Sequence, residues 1–211
     1  MSTDKFRFAA MSRRAAITGA ALAAMAMAAC SGGGGSSAKG DMGKGAPEGA
    51  KVTVVEYASV TCGHCAAWQE QVWPQLKSKY IDTNQVRFVF REFPTPPEDV
   101  AVAGFLLARC AGEDKYFQVV EAIMASQKEW QAGVSPRDSL QRIAAGAGVS
   151  QDQFQKCVTD EAAIKSMEER IRAAQAAGVN STPTFEVNGK RVPDSSLAGL
   201  SAAIDAELAK G

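Results

Sequence analysis

The sequence predicts an α/β protein made of a βαβ half and a ββα half, with helices inserted between them. Three observations predict it. A β-branched segment at 51–59 is followed by a helical segment at 64–80 and a second β-rich segment at 85–93. A long helical region then spans roughly 98–177. Finally the β signal returns at 184–192, with one more amphipathic segment at 195–209. The 211 residues are 46% hydrophobic and 22% charged, which suits a packed globular core and not a disordered chain.

Val52, Val54, Val55 and Tyr57 make 51–59 a strand, because β-branched and aromatic side chains fit a pleated surface. Residues 64–80 carry helical spacing, and Val86-Arg87-Phe88-Val89-Phe90-Arg91 reads as the next strand. Strand, helix and strand in such a short span form a βαβ unit, so these two strands run parallel. Pro94-Thr95-Pro96-Pro97 then breaks the chain. Within the helical region Gly112, Gly133, Gly146 and Gly148 act as punctuation, and Ser135-Pro136 and Ser150 are helix starts. Ile164, Met167 and Ile171 recur at i, i+3 and i+7, an apolar stripe best explained as core packing. Residues 184–187 form a short strand, Asn188-Gly189 a hairpin turn, and 190–192 the returning strand. No internal repeat is visible.

The charge is balanced, 23 basic against 23 acidic groups, but unevenly distributed. Lys5, Arg7, Arg13 and Arg14 precede an almost wholly apolar stretch at 15–29, and Cys30 follows at once. A basic segment before an apolar segment too short to span a bilayer is the secretory pattern, so 1–29 is expected to be a signal peptide. Ser12-Arg13-Arg14-Ala15-Ala16-Ile17 resembles a twin-arginine signal, with Ala16 where a bulky apolar residue is usual. Met27-Ala28-Ala29-Cys30 resembles the lipobox of bacterial lipoproteins, which would make Cys30 the lipidated first residue; cleavage after Ala28 would instead leave a free thiol. Removing Cys30 leaves four cysteines, an even set suited to an oxidising compartment. Residues 30–49, rich in Gly, Ser, Ala and Lys, read as a flexible tether between a membrane and a domain at 50–211. No stretch is basic enough to follow a phosphate backbone, which argues against a nucleic-acid partner.

Cys62-Gly63-His64-Cys65 falls directly after the first strand and at the start of a helix. Unpaired N–H groups and partial positive charge at a helix N-terminus stabilise an anion there. The thiolate is the reactive form, so this placement makes Cys62 both nucleophile and leaving group, with Cys65 one turn away to close a disulfide. His64, the only histidine of the chain, would favour the Cys62 thiolate further if protonated beside it. A zinc site would need a second close pair of ligands, whereas Cys110 and Cys157 lie 47 residues apart. A copper site would lean on methionine, and outside the N-terminal segment only Met42, Met124 and Met167 remain, widely scattered. No metal or cofactor is expected.

The strand-CxxC-helix element, Val86 to Pro94, Arg109-Cys110-Ala111-Gly112-Glu113, and Gly178-Val179-Asn180-Ser181-Thr182-Pro183-Thr184-Phe185 occur in an order that resembles the DsbA-like family of thioredoxin-fold disulfide oxidoreductases. The resemblance covers about 50–211 and implies a thioredoxin fold with a helical insertion at about 95–177. It implies a cis Thr182-Pro183 bond beside the cysteines, placing Thr182 against a bound peptide. It also implies that Glu56, in an otherwise apolar strand, is a buried acid that moves the proton of Cys65; a solvent-facing acid is the alternative. Some relatives carry a second disulfide where Cys110 and Cys157 stand; otherwise these are small buried hydrophobes. Closing that span would contribute about 4 kcal/mol in the loop-entropy account.

The activity the resemblance implies is an exported dithiol oxidase of the bacterial periplasm or cell envelope, lipid-anchored. It would donate the Cys62–Cys65 disulfide to protein thiols and be renewed by a DsbB-like membrane partner. Gly-His between the cysteines is similar to the dipeptide of protein disulfide isomerase, where the DsbA pattern usually has Pro-His, so the expected potential is about −180 to −120 mV. Two alternatives stay open: a thiol reductase or disulfide isomerase of the same fold, and a tethered binding module without turnover.

Overall fold

A computed structural model of the chain describes residues 38–210. The expected signal peptide, Cys30 and the first part of the expected tether lie outside the described residues. Five strands, β1 (Met42–Gly45), β2 (Thr53–Ala58), β3 (Arg87–Glu92), β4 (Thr184–Val187) and β5 (Lys190–Val192), form a sheet in the order β1-β3-β2-β4-β5. β2 and β3 are parallel with Val55 beside Val89, as a βαβ unit requires, and the other pairings are antiparallel. The connection from β2 to β3 runs through α1 (Gly63–Gln71) and α2 (Trp73–Leu76), followed by a π-helical turn, Lys77–Ile81. One helix was expected over 64–80. Pro74 breaks it, because a proline offers no N–H to the carbonyl one turn earlier.

The insertion comprises α3 (Glu98–Cys110), α4 (Glu113–Gln131), α5 (Pro136–Gly146), α6 (Gln151–Val158) and α7 (Glu161–Ala176), and α8 (Leu197–Leu208) closes the fold. α6 starts at Ser150 in a reciprocal capping box with Gln153. Met167 of the expected stripe is fully buried, with Ile164 and Ile171 packed against the core at its sides. Asn188 and Gly189 both take positive φ, the geometry of a tight hairpin turn, and Asn188 Oδ1 accepts from the Thr53 N–H at 2.9 Å. One face of the sheet packs Trp68 and Trp73 of the β2–β3 connection against Phe88 and Phe185; Trp68 and Phe185 centroids are 4.6 Å apart. No helix among the described residues is long and apolar enough to cross a membrane.

The tether reading of 30–49 needs correction at its C-terminal end. Met42–Gly45 is strand β1, paired antiparallel to β3, and Met42 and Ala46 are buried. The Asp41 carboxylate pairs with the Arg91 guanidinium at 2.8 Å. The glycines that suggested flexibility serve close packing instead. A Cβ on Gly43 would meet the Arg87 guanidinium at 2.4 Å, and Gly45 takes φ +86 with the Val86 carbonyl 2.6 Å from where its Cβ would be. The folded domain therefore includes Met42–Gly45, ahead of the boundary expected at 50.

Cys110, the last residue of α3, is disulfide-bonded to Cys157 of α6. Nearby, Glu92 at the end of β3 is 2% exposed and takes hydrogen bonds from Arg109 of α3, Arg170 of α7 and the Tyr116 hydroxyl of α4. One buried carboxylate thus joins the sheet to three helices of the insertion. Glu92→Ala would leave two largely buried guanidinium groups without their counter-charge. A loss of about 3–5 kcal/mol is expected, read from urea unfolding of the oxidised protein.

Candidate active site

The site forms where β2 ends. Six consecutive buried residues run to Ala58, a short turn follows, and Cys62 becomes the N-cap of α1. Its extended backbone (φ −82, ψ 116) turns Sγ back over the first turn, where it accepts the Cys65 N–H at 3.2 Å. The Cys62 thiol lies 3.6 Å from the Thr182 carbonyl oxygen, toward which it donates. Cys62 is 8% exposed and Cys65 fully buried, and both are unbonded. The strand-CxxC-helix arrangement therefore brings Cys62, Cys65 and Thr182 to one point, with Pro183 next in the chain after a cis peptide bond.

The electrostatics separate the two sulfurs. The Cys65 thiol, donating to Cys62 Sγ, is the largest cause holding Cys62 down to about 6. Partial burial opposes it, and the Thr182 side chain and the Cys65 and His64 backbone N–H groups reinforce it. Burial pushes Cys65 far above an ordinary thiol, and its bond to Cys62 and the nearby Glu56 push it further. Glu56 lies in central strand β2 between Phe90 and Phe185, and its carboxyl oxygens have no hydrogen-bond partner among the described residues. Burial raises it to about 8, with help from the Cys62 charge.

His64 is exposed, and its backbone N–H helps to hold Cys62 down. The first turn of α1 faces its amides to Sγ, and the imidazole lies on the exposed side of that turn.

Several supporting residues escape sequence reading. Gln127 of α4, 8% exposed, donates from Nε2 to the Val60 carbonyl at 2.8 Å and the Cys62 carbonyl at 3.3 Å. The hydroxyls of Ser59, Thr61 and Thr95 form a second cluster; Thr61 Oγ1 donates to the Thr95 carbonyl at 2.7 Å, and Ser59 Oγ accepts the Thr95 N–H at 3.1 Å. Trp68 Nε1 donates to the Ser195 carbonyl at 2.8 Å. A signal for Gln127 existed, since it follows Tyr116, Val120 and Ile123 at helical spacing on an otherwise apolar, buried face.

A sheet with one parallel βαβ unit, a β-hairpin returning beside it and a cysteine pair at the first helix N-terminus defines a thioredoxin-fold redox-type protein. The family model described as Thioredoxin matches residues 37–206, and the chain belongs to this family, as a DsbA-like member of the thioredoxin superfamily. It is similar to a putative protein-disulfide oxidoreductase of Rickettsia bellii, 35% identical over 157 residues, covering 74% of this chain and 60% of that protein. A namesake from Rickettsia typhi is 34% identical over 159 residues, covering 74% and 58%. The chain thus spans about 60% of the length of the curated relatives it matches. Among solved structures, α-DsbA1 of Wolbachia pipientis superposes with a TM-score of 0.74 at 28% identity, covering 82% of this chain and 94% of that one. BdbD of Bacillus subtilis shares the fold, with a TM-score of 0.73 at 21% identity over 84% and 97% of the two chains.

Proposed function

We propose that the protein is an exported thiol:disulfide oxidoreductase that donates the Cys62–Cys65 disulfide to substrate proteins. The observation that carries this reading is the split between the two sulfurs, with Cys62 held down to about 6 and Cys65 pushed up. A stabilised Cys62 thiolate favours the dithiol form of the enzyme, so its disulfide is readily given away.

A substrate thiolate attacks Cys62 Sγ in the oxidised protein, forming a substrate–Cys62 bond as the Cys62–Cys65 bond breaks. Cys65 leaves as a thiolate with a strong affinity for a proton. Glu56, neutral at pH 7, supplies it. A second substrate thiolate then attacks the substrate sulfur of the mixed disulfide, and Cys62 leaves as a stabilised thiolate. Two electrons have passed from the substrate dithiol to the enzyme. The mixed-disulfide peptide would lie along Thr182 and Pro183, where the proline presents no N–H to compete for the sulfur.

The N-terminal charge and hydropathy pattern and the Cys110–Cys157 disulfide both suit an oxidising compartment outside the cytoplasm. Lipidation at Cys30 would hold the domain at a membrane, within reach of a DsbB-like partner that takes up the two electrons. Oxidation of a reduced dithiol peptide by the oxidised protein, followed by mass spectrometry, tests the reading. Stoichiometric conversion is expected, and a protein that binds the peptide unchanged would contradict it.

A further inference from the structure

The turn that carries Cys62 is gripped by the helical insertion. Val60, two residues before the sulfur, is fully buried, and α3 closes on it at Gly104, where a Cβ would meet Val60 Cγ2 at 2.9 Å. From α4, the Gln127 amide donates to the carbonyls of Val60 and Cys62. The Cys62 carbonyl also accepts the first helical bond of α1, from Ala66 N–H at 3.0 Å. Its direction is therefore tied to the direction of the amides in that turn. On the other flank, Cys62 N–H closes the turn on the Ser59 carbonyl at 3.2 Å.

We propose that Gln127 is a positioning residue, through which the insertion holds the 59–62 turn so that the Cys65 and His64 N–H groups face Cys62 Sγ. The assignment deepens the oxidase reading and rests on it. Without the Gln127 amide, the buried Val60 carbonyl loses its partner and the turn shifts to find another. The amide bonds to Sγ lengthen, and the thiolate loses part of its stabilisation. The titratable groups acting on Cys62 are Cys65 of α1 and Glu56 of β2; neither touches Gln127 through a hydrogen bond.

The test is a titration of the Cys62 thiolate in reduced protein, by its ultraviolet absorbance, in wild type and Gln127→Leu. A rise in the midpoint of about one pH unit is expected, so the thiolate fraction at pH 6 falls roughly fivefold. Tyr80→Phe, which removes a remote bond to Asp205, serves as a destabilised control whose midpoint stays put. Should leucine prevent folding, Gln127→Met keeps the length of the side chain, has no donor and no charge, and must move the midpoint in the same direction. A midpoint unchanged in the Gln127 variant, while its unfolding temperature drops, overturns the assignment as purely structural. A wild-type midpoint near the ordinary value of about 8.5 that still rises in the variant would sink the oxidase reading and leave the assignment standing.

Discussion

Cys62→Ser is expected to abolish substrate oxidation, lowering its rate by at least about a thousandfold. The reason lies in geometry as much as in chemistry. Cys65 is fully buried, so an incoming thiolate has access only to Cys62 Sγ. A serine hydroxyl neither forms the disulfide nor leaves as a stable anion at neutral pH. Cys65→Ser should behave differently. The serine hydroxyl donates to Cys62 Sγ in place of the Cys65 thiol, and the backbone N–H groups of the first turn remain, so Cys62 keeps thiolate character at pH 7 and attacks glutathione disulfide, expelling one glutathione thiolate. No second thiol resolves the product, so a stable glutathione adduct accumulates, visible in the intact mass. Oxidation surviving in Cys62→Ser would remove the catalytic account. Peptide binding with no turnover in either wild type or variant would favour a binding module.

Glu56→Gln should slow reduction of the Cys62–Cys65 disulfide at pH 7 by about a hundredfold, the scale at which a positioned proton donor contributes. Rapid acid quench and alkylation reads the rate. Wild type should lose rate as pH rises through about 8, where Glu56 gives up its proton, whereas the glutamine variant should show no such loss. Stability falls over the same range. Because the folded-state value lies above the ordinary carboxyl value of 4.5, protonated Glu56 contributes stability that is complete below that value and lost as pH rises through about 8. The glutamine variant escapes this loss, so it should match wild type near pH 4.5 and exceed it increasingly toward pH 8. Cys62 contributes with the reverse sign: its stabilisation of the reduced protein grows toward pH 9 and fades as pH falls through about 6. Equal rates in the two proteins across this range would show that water, not Glu56, serves Cys65.

What the sequence revealed and what it hid follow from how local each signal is. β2 and β3 were legible from their β-branched and aromatic residues, Thr53, Val54, Val55 and Tyr57 in one and Phe88, Val89 and Phe90 in the other, and the hairpin because Asn188 and Gly189 suit positive φ. The cysteine pair was legible because strand, motif and helix are contiguous. β1 was not, since its glycines answer to Arg87 and Val86 across the sheet, contacts that composition does not encode. Gln127 stood out as a polar residue on an apolar helical face, but its partners were hidden for the same reason, since they lie more than 60 residues away in the chain. At His64 the sequence showed the side chain but not the backbone, whose amide helps to hold Cys62 down from the first turn of α1. Glu56 was placed by its strand, though its lack of a hydrogen-bond partner among the described residues emerges only from the packing of Phe90 and Phe185 around it.

The central claim, that an acidic Cys62 makes the disulfide a donor, is tested most directly by the equilibrium redox potential of the Cys62–Cys65 couple in glutathione buffers. The account predicts about −180 to −120 mV; a value near that of thioredoxin, about −270 mV, would contradict it, since 90 mV corresponds to roughly a thousandfold in the exchange equilibrium.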